Sequence, residues 1–155
     1  MVNNPIPLRH LKGHSAQPNA RLPLWQRVGL LSAVGGVWVT GVLWFWARYF
    51  GRREGPFGLE SHWGEFSARA AHGFTALLFL VAVGSLVPFH FRTGWETGTK
   101  RLSSLSLALV TVILVLTGWG LYYAGGEVLR RTLSTTHNAL GFLVLPLFFI
   151  HSRRR

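Results

Sequence analysis

Four of the seven histidines, His72, His90, His137 and His151, lie inside or at the ends of long apolar runs, where an ionisable side chain is costly and is usually kept for a function. His72 and His90 are 18 residues apart. At about 100° per residue that is five whole helical turns, so both rings leave one helix face. His137 and His151 are 14 apart, about 40° short of four turns, again a single face. Depth agrees as well as phase: two helices running the same way across a bilayer would bring His72 level with His137, and His90 level with His151. The axial separations are about 27 Å and 21 Å at 1.5 Å per residue. Tilt, or a kink at Pro88, absorbs the difference.

Two tiers of paired imidazoles restrict the chemistry. Zinc or copper normally recruits a third or fourth ligand, but the chain has no Asp, and every Glu falls in a loop or at the edge of an apolar run. The absence of cysteine excludes thiolate metal sites, iron–sulfur clusters and the covalent attachment of c-type haem. Haem brings four equatorial nitrogens and asks the protein for two axial ligands, and its apolar macrocycle suits a helical bundle. The expectation is two haems b, one held by His72 and His137 and the other by His90 and His151. Gly73, Gly84 and Gly141 are small enough to let a macrocycle approach the backbone, or serve ordinary helix packing equally well. Arg69 and Arg130 at one level, and Arg92 and Arg153 at the other, are candidate partners for haem propionates, alongside their role in topology. Ser134, Thr135 or Thr136 is placed to orient His137 through its second ring nitrogen. His10, His14 and His62 read as non-ligands, with His62 a candidate for proton exchange. The competing reading is a cofactor-free structural or assembly subunit whose histidines only pack helices.

The elements that must position these side chains are plain from hydropathy. The chain has 155 residues, 49% of them hydrophobic, with a mean hydropathy of +0.30, which describes one small membrane domain. Four runs, 28–50, 70–89, 102–124 and 133–150, approach the roughly 20 residues needed to cross about 30 Å of hydrocarbon. The predicted fold is all-α: an integral membrane four-helix bundle over residues 24–155, preceded by a polar tail at 1–23 that lacks the apolar stretch of a signal peptide. The net charge of +11 argues against nucleic acid as partner, because the cations fall between apolar runs instead of forming a patch. Ten of these cations lie on the side of the N-terminal tail, the second connection and the C-terminus, against six opposite, where four of the five glutamates also lie. Both termini are therefore expected in the cytoplasm. The connection 51–67 mixes aromatic and charged residues and suits an interfacial segment, a flap or a partner contact. No internal repeat or low-complexity tract stands out.

Three segments resemble the small di-haem cytochrome b proteins of bacterial membranes, akin to the cytochrome b subunits of nickel–iron hydrogenase and formate dehydrogenase. They are Val87 to Trp95 (VPFHFRTGW), Leu116 to Glu127 (LTGWGLYYAGGE) and His137 to His151 (HNALGFLVLPLFFIH). The likeness covers roughly 68–155 and leaves the N-terminal third aside. It implies a subunit of a membrane redox complex in the bacterial inner membrane, passing electrons between the quinone pool and a partner protein, with a bound quinone as a further expectation. One departure is clear: those subunits take a haem ligand from their first helix, whereas the first run here has no histidine, and His90 must take that place.

Overall fold

The computed structural model describes residues 22–88 and 101–153. Four helices carry the fold: α1 (Leu24–Tyr49), α2 (Glu65–Leu86), α3 (Arg101–Tyr123) and α4 (Glu127–Arg153). Each is long and apolar enough to cross a membrane. Between α1 and α2 the chain makes a small antiparallel ribbon of β1 (Arg53–Gly55) and β2 (Gly58–Glu60). Gly58 closes its turn at φ 111°, a conformation that side-chain-bearing residues rarely adopt. The 51–67 connection is thus a structured hairpin that runs on into the first turn of α2.

The helices begin and end differently from the hydropathy runs. Helix α2 starts at Glu65 and α4 at Glu127, each several residues before its apolar run, so Arg69, Arg130 and Arg131 are helical. The physical reason is that backbone hydrogen bonding does not stop where hydrophobicity does: a charged first turn is good helix, and an acidic residue there complements the helix dipole.

The bundle is assembled from two antiparallel hairpins. Helix α1 packs along α2, and α3 along α4, while between the hairpins the closest packing is α1 against α4, with Phe45 and Phe142 edge-to-face at 5.3 Å. Little is fully enclosed. Val34, Ala47, Gly51, Glu65, Thr117 and Ala124 are the buried residues among those described, and no large side chain is completely buried. Leucines and valines such as Leu43, Leu77, Val81, Leu109 and Val112 point outward, while polar groups from the same helices turn in toward each other. The ion pair Arg48–Glu65, at 3.0 Å, ties the end of α1 to the start of α2.

Candidate functional site: a facing histidine pair

His72 projects from α2 onto α1. Its Nδ1 lies 3.1 Å from the Val37 carbonyl and 3.4 Å from Thr40 Oγ1. Thr40 also contacts Thr75 Oγ1 at 2.9 Å and the Gly36 carbonyl at 2.7 Å, so a chain of hydroxyls joins the two helices at this level. Gly41 lets the ring lie against α1: a Cβ built there would stand 3.0 Å from His72 Cε1. Trp44 lies on the same side, with ring centroids 5.8 Å apart.

His137 repeats this arrangement on the other hairpin. Its Nδ1 lies 3.0 Å from Thr117 Oγ1 of α3, with the Leu114 carbonyl as a further hydrogen-bond partner. A Cβ at Gly118 would stand 3.1 Å from His137 Cε1. A shift of 77 residues carries Val37, Thr40 and Gly41 onto Leu114, Thr117 and Gly118. The molecule therefore contains a repeat that composition did not reveal: a Thr-Gly pair on the first helix of each hairpin that seats a histidine from the second. The signal was present as VTGV and LTGW, but a Thr-Gly dipeptide carries meaning only once the helix pairing is known.

These contacts place a hydrogen on Nδ1 of both rings and so select the tautomer of the neutral imidazole. A carbonyl can only accept, so the Val37 contact makes His72 Nδ1 the donor. Thr117 Oγ1 gives its one hydrogen to the Ile113 carbonyl at 2.7 Å and so accepts from His137 Nδ1. Each imidazole is held in the tautomer whose lone pair sits on Nε2, the form that binds metals. Neither Nε2 has a hydrogen-bond partner among the described residues.

The two rings face each other with centroids 6.2 Å apart and planes at 88°. With metal–imidazole bonds of about 2.0–2.1 Å and roughly 1.2 Å from ring nitrogen to ring centre, one ion between two imidazoles sets their centroids about 6.4 Å apart. The observed 6.2 Å centroid separation is within a few tenths of an ångström of that spacing. No group of three or more His, Cys, Asp or Glu gathers among the described residues, so the donor set here is two imidazoles from two helices.

The remaining site residues divide. His90 and Arg92 lie outside the described residues. His151 occupies the last turn of α4, with Nδ1 2.9 Å from Ser103 Oγ of α3. Hydroxyls 14 residues apart on α3 thus steady imidazoles 14 apart on α4. Arg153 is the last residue of that helix. Arg130 lines a cavity of about 460 Å³ with Arg48, Tyr49, Glu127, Arg131, Ser134 and Thr135. Arg69 instead stacks over Phe66 at 5.6 Å and lines a separate cleft beside His62 and Glu65. Ser134 and Thr135 border the arginine cavity, and the hydroxyl that orients His137 is Thr117. The space beside Gly84 and Gly141 is open, while Gly73 faces the Tyr122 hydroxyl, 3.9 Å from where a Cβ would stand. His62 accepts the Gly64 amide on Nδ1 at 3.1 Å and meets Trp46 edge-to-face at 5.5 Å, a local role at the entry to α2.

No known family model matches this chain, and no curated protein or solved structure matches it.

Proposed function

We propose that the chain is a di-haem b-type cytochrome subunit that relays electrons between a quinone and a partner redox protein, as part of a larger complex in the bacterial inner membrane. The observation that carries the reading is the His72–His137 pair: two imidazoles from different hairpins, each with Nδ1 engaged and Nε2 without a partner, at the separation a single axially ligated iron requires. The outward leucines and valines suit a hydrocarbon surrounding, and both termini are assigned to the cytoplasm on the distribution of cations.

In this reading His72 and His137 hold one haem, and His90 and His151 the other, with Ser103 playing for His151 the part that Thr117 plays for His137. Bound haem supplies reversible one-electron transfer at its iron. The protein's own contribution is orientation and environment. Val37, Thr40 and Thr117 aim the imidazoles and raise their basicity through Nδ1, and Gly41 and Gly118 leave room for the rings.

The alternative is a cofactor-free assembly subunit in which His72 and His137 are simply packed rings, since perpendicular aromatic contacts also fall at about 4.5–7 Å. The absorbance of the purified protein separates the two. A reduced b-type spectrum with about two haems per chain supports the cytochrome, and a protein that binds no haem even when it is supplied removes it.

A further inference from the structure

The cavity between the end of α1 and the start of α4 collects positive charge in a way that topology does not require. Arg48 and Tyr49 reach it from the end of α1, and Glu127, Arg130, Arg131, Ser134 and Thr135 line it from the first turns of α4. Counting cations on one side of a membrane would be satisfied by arginines pointing anywhere into solvent. Here three guanidiniums from two helices border one space of about 460 Å³. Arg48 is already answered by Glu65 at 3.0 Å, whereas Arg130 and Arg131 make no ion pair among the described residues. Consecutive helical residues diverge by about 100°, so a cavity bordered by both Arg130 and Arg131 wraps around that edge of α4. Glu127 brings one carboxylate to the same space, so the guanidiniums outnumber it three to one and the excess positive charge favours a further anion.

We propose that this cavity is an oxyanion site, taking a carboxylate or a phosphate between Arg130 and Arg131. Guanidinium forks match both groups bidentately. The Ser134, Thr135 and Tyr49 hydroxyls add neutral donors, and the nearby start of α4 contributes its amide dipole. Arg130 and Arg131 lie about two turns along α4 from His137, roughly 10 Å at 1.5 Å per residue. Two sources present such an oxyanion there: the propionate of a haem held by His72 and His137, which rests on the function proposed above, and the phosphate of a phospholipid headgroup at that end of the bundle, which does not.

The test uses the full chain in detergent, with Arg130→Gln and Arg131→Gln as single and paired variants. Arg48 is left intact because its loss would also break the Glu65 ion pair. Protohaem and its dimethyl ester, in which both carboxylates are masked, are titrated into protein prepared without haem, and native mass spectra are recorded after exposure to phosphatidylglycerol vesicles. If the oxyanion is a propionate, the wild type prefers protohaem to the ester by about tenfold and the paired variant loses that preference. If it is a lipid phosphate, the porphyrins bind alike and the wild type retains phosphatidylglycerol that the variant loses. If the variant matches the wild type in both measurements, the site is refuted. Should neither porphyrin bind the wild type, the cytochrome reading fails, and the lipid measurement alone decides the cavity. Arg130→Lys paired with Arg131→Lys keeps charge without the fork and covers the case in which the glutamines unfold the helix start; partial retention in either measurement supports the site, and none opposes it.

Discussion

His72 and His137 stand with ring planes at 88° and centroids 6.2 Å apart, each braced at Nδ1 by the helix that precedes its own in the chain. Because the braces lie on different hairpins, the mutual angle of the rings is set by how α1 and α3 present Val37 and Thr117. In the proposed cytochrome, perpendicular imidazole planes would leave the iron d orbitals nearly degenerate. The oxidised protein should therefore give a strongly anisotropic low-spin ferric signal in electron paramagnetic resonance. A rhombic signal typical of parallel planes from this tier would show that the rings turn once iron is bound.

Gly41 and Gly118 are the positions where added bulk meets the site most directly. A Cβ at either stands 3.0–3.1 Å from the imidazole Cε1, so Gly41→Val and Gly118→Val must push a ring aside, at a cost of about 1–3 kcal/mol. Each should lower haem content while leaving helix content unchanged by circular dichroism. Gly29→Ala, where nothing lies within 4 Å, is the control and should behave as wild type.

Thr117 acts on electronics more than on stability. Its hydroxyl accepts from His137 Nδ1 at 3.0 Å, which in the proposed cytochrome would make the ring a stronger donor to ferric iron. Thr117→Val removes that acceptor, worth about 1 kcal/mol, and should raise the midpoint potential by roughly 40 mV for one electron. Thr117→Ser should restore it. An unchanged or lowered potential in the valine variant argues that the hydroxyl does not tune the site.

The common face of His137 and His151 was legible because helix periodicity is local: 14 residues fix a face without any tertiary knowledge, and both rings meet hydroxyls of α3, whereas His90, the partner of His72 in the other spacing, lies outside the described residues. What each imidazole leans on was not legible, because Val37 and Thr40 lie more than thirty residues from His72 and meet it only through the register of α1 on α2. Ser134, Thr135 and Thr136, close in sequence to His137, were the natural candidates for its partner, yet the observed one comes from a neighbouring helix 20 residues away. The β-ribbon escaped notice for another reason. Its strands are three residues each, too short and too charged to show alternation.

The Arg48–Glu65 pair should respond asymmetrically. The Glu65 side chain is 11% exposed and its Oε2 has no partner among the described residues, whereas that of Arg48 is 40% exposed and can turn to solvent. Arg48→Gln leaves a buried carboxylate without its counter-ion and should cost about 3 kcal/mol, while Glu65→Gln should cost clearly less. Thermal unfolding in one detergent measures both. Equal losses would mean that the pair is solvated in practice.

The central claim is that one iron joins α2 to α4 through His72 and His137. Its most direct test is the haem content of His72→Ala, His137→Ala and the double variant, purified under identical conditions. The account predicts that each single variant loses the same one of two haems, that the double variant loses no more, and that the reduced spectrum of the other centre persists in all three. Full haem content in either single variant, or two independent losses that add in the double, would contradict it.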